Sequence, residues 1–300
     1  MKIGFIGIGQ MGRHMSRRIL EAGHELVVHD LNKEAATPLV EKGAVWADSP
    51  ATVAKSCRVV ITSLPKPQDV EQVVYGKNSL MQEWRSGDIY IDMSTNSPSV
   101  IRRIAADAKV KGVSVLDAPV SGGVKGAETG TLTIMVGGEA AALKKVRKIL
   151  EAMGQRIFSV GPAGCGNIVK LVNNLISLEC NSASAEGFAL GVKAGIDPAM
   201  LLEILKVSTG DNWCARQYPN TTFKGNFEPG FKISLAYKDI NLALELGQEN
   251  GVPLPVGAVV KKDLEDTIAA GFQDKGVDAV ILGREKAAGV EVRTMQKEAI

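Results

Sequence analysis

The sequence predicts an α/β fold: a doubly wound sheet in the first half of the chain and an all-helical domain in the second, joined by one long helix. Three observations predict it. Short apolar runs alternate with helix-period stretches through the first half. The turn formers Gly161, Pro162, Gly164 and Gly166 then punctuate the chain, and beyond them strand signals nearly cease while a long helical pattern begins. The boundary falls there, giving an expected sheet domain over 1–162 and a helical domain over 163–300. A chain of 300 residues, 45% apolar and 23% charged, suits two domains, because single cores tend to stop growing at roughly 250–300 residues.

In chain order, Lys2–Ile6, Glu25–His29, Arg58–Ser63, Ile89–Asp92, Ser114–Leu116, Leu132–Val136 and Ile157–Val160 read as strands. Helix-like stretches at 11–22, 33–42, 68–74, 98–111 and 139–152 lie between them. Each crossover must carry the chain back over the sheet, which implies mainly parallel pairing. The stretch 167–194 reads as one helix, with Ile168, Leu171, Val172, Leu175, Ile176 and Leu178 at helical spacing. Further helices are expected at 198–207, 234–250, 255–270 and 275–288.

Lys and Arg number 35 against 33 Asp and Glu, with no long run of one sign, so nothing marks a nucleic-acid or anionic-membrane surface. A small molecule is the expected partner. Cys57, Cys165, Cys180 and Cys214 form no CxxC pair, and His14, His24 and His29 all precede the first of them, which argues against a metal site and a disulfide framework. The apolar start is cut short by Arg13, His14, Arg17 and Arg18 with no small-residue cleavage site behind it. No stretch approaches the ~20 apolar residues that span a bilayer. A cytoplasmic protein is expected.

Gly7, Gly9 and Gly12 form GxGxxG directly behind the first strand and at the mouth of a helix. The first glycine allows a tight turn, the second lets the backbone approach a pyrophosphate, and the third lets helix and strand pack closely. Asp30 ends the second strand, close to the ~20-residue spacing expected of an acid that accepts hydrogen bonds from a ribose hydroxyl. Together they point to a dinucleotide cofactor. Ser121, Gly122 and Gly123 present amides and one hydroxyl, which suits a carboxylate, although the same residues also make an ordinary Gly-Gly turn. Lys170 and Asn174 stand one helical turn apart among apolar neighbours, where desolvation and a nearby nicotinamide cation can lower a lysine pKa towards that of a general base. Lys238 and Asp239, taken alone, read as the charged first turn of a helix.

Five linked segments, GFIGIGQMG, DMSTNSP, DAPVSGG, GCGNIVKLVNN and YKD, resemble in order and spacing the β-hydroxyacid dehydrogenase family. That family includes 3-hydroxyisobutyrate dehydrogenase, tartronate semialdehyde reductase and 2-(hydroxymethyl)glutarate dehydrogenase. The resemblance spans essentially the whole chain. It implies a Rossmann domain, a helical substrate and oligomerisation domain that makes a homodimer or homotetramer, and a catalytic cleft between the two. Lys170 would transfer the proton, Ser121, Gly122, Gly123 and Asn174 would hold the substrate, and Lys238 would reach substrate and nicotinamide with Asp239 as an orienting partner. Gly7, Gly9, Gln10, Met11, Gly12, Asp30, Leu64, Pro65 and Thr95 would line the cofactor.

NAD is expected over NADP, because Asp30 would repel a 2′-phosphate and Leu31 is not the arginine of NADP-preferring relatives. Lys33 is the one nearby cation that would soften this. The expected reaction is hydride exchange between NAD(H) and a small β-hydroxy acid, 3-hydroxyisobutyrate dehydrogenase-like. Arg216 is a candidate contact for a second charged group on the substrate. The alternatives are reduction of tartronate, succinic or 2-formylglutarate semialdehyde, oxidative decarboxylation as in 6-phosphogluconate dehydrogenase, or a nicotinamide-binding sensor domain. No basic cluster for a phosphate favours the second, and a sensor would be expected to lose Lys170 or the Ser121-Gly122-Gly123 turn.

Overall fold

The structure, a computed structural model, describes residues 1–294, so the end of the expected helical domain, 295–300, lies outside the described residues. The chain divides into two compact units, Met1–Lys170 and Leu171 onward. The first unit runs β1 (Lys2–Ile6), α1 (Gly12–Glu21), β2 (Glu25–His29), α2 (Thr37–Val40), β3 (Val45–Trp46), α3 (Pro50–Ser56), β4 (Val59–Thr62), α4 (Pro67–Tyr75), α5 (Leu80–Glu83) and β5 (Ile89–Asp92). It continues through α6 (Pro98–Val110), β6 (Ser114–Asp117), β7 (Val120–Ser121), α7 (Gly123–Thr129), β8 (Leu132–Gly138), α8 (Ala140–Glu151) and β9 (Gly154–Gly161) into the start of α9 (Cys165–Lys193).

The strands form one sheet in the order β3-β2-β1-β4-β5-β6-β8-β7, with β9 on β8. From β3 to β6 every pairing is parallel, as the helical crossovers require. Strand β8 departs from that rule and runs antiparallel to β6 and β7. The link from β6 to β8 holds only β7 and the short α7, so the chain folds straight back along its own strand instead of crossing the sheet.

Alternate strand residues serve opposite faces. Phe5, Val28, Ile61 and Ile91 face Met15 and Ile19 of α1 and Val146 and Ile149 of α8, while Ile6, Val27, Val60 and Tyr90 face Val53 of α3, Val70 of α4 and Ile104 of α6. Both faces are therefore apolar, which is the pattern of a sheet covered on each side by helices. Two strands, β3 and β7, and the helices α3, α5 and α7 have no counterpart in the sequence reading; the strands are two residues long and the helices four to seven, too short for a period to register. The expected helix at 33–42 is a 3₁₀ turn, Lys33–Ala36, followed by the single turn of α2.

The two compact units part after Lys170, within α9. The first turns of α9 belong to the sheet unit because they are hydrogen-bonded to it. Gly164 N donates to Asp117 Oδ1 at 2.8 Å and Asn167 N to Asp117 Oδ2 at 2.7 Å.

The second unit contains the rest of α9, then α10 (Pro198–Leu205), α11 (Ile233–Glu249), α12 (Pro255–Ala269) and α13 (Ile281–Ala288). Its core gathers Leu178, Ala185 and Phe188 of α9 with Ile233, Ala236 and Ile240 of α11 and Val260 and Leu264 of α12. Phe188, Tyr218 and Phe223 interlock there, with ring centroids 4.9–5.9 Å apart. Not every apolar position of α9 is inward: Leu171 and Leu178 are buried, but Val172 and Ile176 are about half exposed. Among the described residues no helix is long and apolar enough to cross a membrane.

Candidate active site

The C-terminal edge of the parallel strands carries the predicted residues of the first unit, the edge at which open α/β sheets bind ligands. Gly7 leaves β1 at φ +96°, and its amide donates to His29 O at 3.0 Å. A side chain at Gly7 would strike Ser63 O, and one at Gly12 would strike the Gly7 carbonyl, so β1, β4 and α1 converge only because both are glycine. Gly9 differs: a Cβ there would meet nothing within 4 Å. That open backbone, above a ten-residue helix with no acid in its first turn, fits a pyrophosphate. Gln10 is exposed, and Met11 packs half-buried on the core.

Asp30 follows β2 and accepts Ile8 N at 2.6 Å on Oδ2 and Asn32 N at 2.8 Å on Oδ1. It is half-buried, so each oxygen keeps a lone pair for a ribose hydroxyl. Leu31 is exposed, and Lys33 lies over the Trp46 ring, 5.7 Å from its centroid. Leu64 and Pro65 follow β4, where Leu64 N donates to Ser94 Oγ at 2.9 Å.

Strands β5 and β6 end in Asp92 and Asp117, which are register partners and fully buried. Asp92 accepts Thr62 Oγ1 at 2.8 Å, Ser94 N at 3.1 Å and Asn96 Nδ2 at 2.9 Å. Asn96 N donates to Asn167 Oδ1 at 2.7 Å, and Asn167 Nδ2 reaches Asp117 Oδ2 at 3.3 Å. The loop holding Thr95 is thus tied to both strand ends and to the start of α9. Burial raises both carboxyls above the ordinary carboxylate value, opposed at each by the hydrogen bonds it accepts; at Asp117 the charge of Asp92 adds to the rise.

This frame escaped the sequence reading, although all four of its residues lie inside the quoted segments. The usable signal was an acid closing an apolar strand run, the same signal that picked out Asp30. Four residues beyond Asp117, Ser121 ends β7, and Gly122 and Gly123 expose their backbone with φ of +125° and +60° at the head of α7.

In the second unit, Asn174 Nδ2 donates to Asp239 Oδ2 at 2.6 Å, and Lys238 Nζ pairs with Asp239 Oδ1 at 2.8 Å. These residues do not begin a helix. They occupy the second turn of α11, and Asp239 is buried, because the helix starts at Ile233. Asp239 therefore orients both predicted ligands of this unit. Arg216 is engaged by a neighbour: Nε and Nη2 reach the two oxygens of Asp211 at 2.7 and 2.8 Å.

A doubly wound sheet with a glycine turn behind its first strand and an acid with spare lone pairs behind its second fits the dinucleotide-binding class of proteins. Comparison with known proteins narrows the class. The family model for the NAD binding domain of 6-phosphogluconate dehydrogenase matches residues 2–161, and that for the NAD-binding domain of NADP-dependent 3-hydroxyisobutyrate dehydrogenase matches 164–282. The chain is 40% identical over 294 residues to 2-(hydroxymethyl)glutarate dehydrogenase of Eubacterium barkeri, covering 97% of each chain. It is 38% identical over 283 residues to 3-hydroxyisobutyrate dehydrogenase of Pseudomonas aeruginosa, covering 92% of this chain and 95% of that one. The solved structure of Mycobacterium tuberculosis 3-hydroxyisobutyrate dehydrogenase with L-serine superposes with a TM-score of 0.87 at 32% identity, covering 94% and 98%. The chain belongs to the β-hydroxyacid dehydrogenase family and is an NAD(P)-linked hydroxyacid dehydrogenase.

Proposed function

We propose that this chain interconverts a small β-hydroxy acid and its semialdehyde, with NAD as the preferred acceptor and 3-hydroxyisobutyrate as the type of substrate. The observation that carries this reading is the frame around Asp117. One carboxylate, four residues before Ser121, holds the helix start that bears Lys170. In this reading the anion seat follows that strand end in the chain and the amine follows the helix start tied to it. The Ser121 hydroxyl and the Gly122 and Gly123 amides hold the substrate carboxylate. Lys170 Nζ takes the hydroxyl proton on oxidation and returns it to the carbonyl oxygen on reduction. A nicotinamide held by Gly7, Gly9, Gly12 and Asp30 would supply the hydride acceptor for the carbon bearing that hydroxyl.

Asn174 and Lys238 add hydrogen bonds to substrate, and Asp239 fixes their directions. The bidentate grip of Asp211 on Arg216 favours a monocarboxylate over a dicarboxylate. Asp30 favours NAD by accepting ribose hydroxyls and repelling a 2′-phosphate, while Lys33 is spent on Trp46. The working form is a homodimer or homotetramer in the cytoplasm, in which the half-exposed Val172 and Ile176 of α9 find cover.

The test is turnover with NAD and NADP on 3-hydroxyisobutyrate, L-serine, 2-(hydroxymethyl)glutarate, tartronate semialdehyde, succinic semialdehyde and 6-phosphogluconate. Lys170→Ala should lower kcat by ~10²–10⁴ while leaving NAD affinity and Tm near wild type. A kcat within about threefold of wild type sinks the assignment of Lys170, since the expected loss is at least ~10². Equal turnover of simple alcohols sinks the anion seat.

A further inference from the structure

The long helix α9 begins without a cap of its own. The residue before it, Gly164, has no side chain, and the positions where a local serine or aspartate would accept the first amides are empty of one. The acceptor comes instead from 47 and 50 residues away: Asp117 Oδ1 takes Gly164 N and Oδ2 takes Asn167 N. The approach is close, since a Cβ at Gly166 would lie 2.6 Å from Asp117 O. A local cap fixes a helix end only to itself. A cap supplied by a strand end fixes the helix to the sheet, in both translation and rotation about its axis, because two amides three residues apart are held at once by the two oxygens of one planar group.

Lys170 lies three residues beyond Asn167, and Ser121 four residues beyond Asp117. We propose that Asp117 is a positioning residue for proton transfer, setting the rotation and height of the first turn of α9 so that Lys170 Nζ meets a substrate seated on Ser121. Asn167 and Asn96 brace this frame, carrying it across to Asp92 and the Thr95 loop. The carboxylate is required, not merely a polar group. An asparagine at 117 would turn its NH₂ towards either Gly164 N or Asn167 N and leave that amide facing a donor. Displacement of a reacting group by about 1 Å can cost ~10²-fold in rate, so a modest shift of this turn is enough to register in kcat.

The proposal rests on the catalytic reading of Lys170, and a double-mutant cycle separates the two. Asp117→Asn is made in the wild-type and Lys170→Ala backgrounds, and kcat, NAD affinity and Tm are measured with the acid of the panel that turns over best. In the wild-type background kcat should fall roughly tenfold or more, with NAD affinity within about threefold. In the Lys170→Ala background the same change should cost less than about threefold, because the group it positions is gone. An equal loss in both backgrounds, a parallel loss of NAD affinity, or an unchanged kcat overturns the positioning role while leaving Lys170 catalytic. If Lys170→Ala alone keeps its kcat, the catalytic reading falls and the positioning role with it. Should Asp117→Asn not fold, Asn167→Ala runs the same cycle. It keeps both main-chain donors to Asp117 and should show a loss of a few-fold that vanishes with Lys170; a loss that persists without Lys170, or none in either background, overturns the proposal.

Discussion

Two pairs of strand ends on one sheet edge are built on opposite principles. At β1 and β2 the backbone is left open at Gly9 and half-buried Asp30 retains lone pairs, so donors and acceptors remain for a ligand. At β5 and β6 the acids Asp92 and Asp117 are fully buried and each accepts three hydrogen bonds from the protein itself. An acid closing a strand is therefore not a ligand site by virtue of its position. Burial and the number of internal donors decide whether it binds something or holds something.

The largest effect is expected of Asp92→Ala. Buried donors on Ser94 and Asn96 lose their acceptor, and the unfolding free energy should drop by about 2–4 kcal/mol in urea titrations. Stability within about 0.5 kcal/mol of wild type would mean that the β5 end is not a structural frame.

Asp30→Ala should do the reverse. Its bond from Asn32 N is exposed and that from Ile8 N only part-buried, so stability should fall less than with Asp92→Ala. The ratio of kcat/KM for NAD over NADP should fall by about tenfold, equivalent to about 1.4 kcal/mol. An unchanged ratio places cofactor choice elsewhere.

A third carboxyl tests burial on its own. Asp278, in the helical unit, is half-buried, and burial raises its pKa above the ordinary 3.8. A raised value means that the folded protein holds this proton more tightly than the unfolded chain. Stability from this group is then highest below pH 3.8 and is lost as pH rises through the raised value, at no more than about 1.4 kcal/mol per pH unit. Asp278→Asn should flatten the stability curve above pH 3.8 in urea titrations. An unchanged slope would show that Asp278 does not hold its proton in the folded state.

Much of this molecule was legible in residue order. Strands β1, β2 and β5 fall where their apolar runs end, because a sheet covered on both faces needs continuous apolar segments bounded by turn formers. The glycine turn was legible for a similar reason: positive φ and close backbone approach are properties of single residues. The antiparallel return of β8, the seating of the first turns of α9 on the sheet unit and the burial of Asp239 were not legible. Neither was the contrast between Asp30 and Asp117. Both are acids at strand ends, and nothing within a few residues of either separates them. What separates them is which distant amides arrive. Asp117 receives Gly164 and Asn167 across 47 and 50 residues, while Asp30 receives Ile8 across 22 residues and its near neighbour Asn32. Local pattern sets backbone period and turn chemistry, whereas the role of a carboxylate depends on desolvation and on donors that only the folded chain brings within 3 Å.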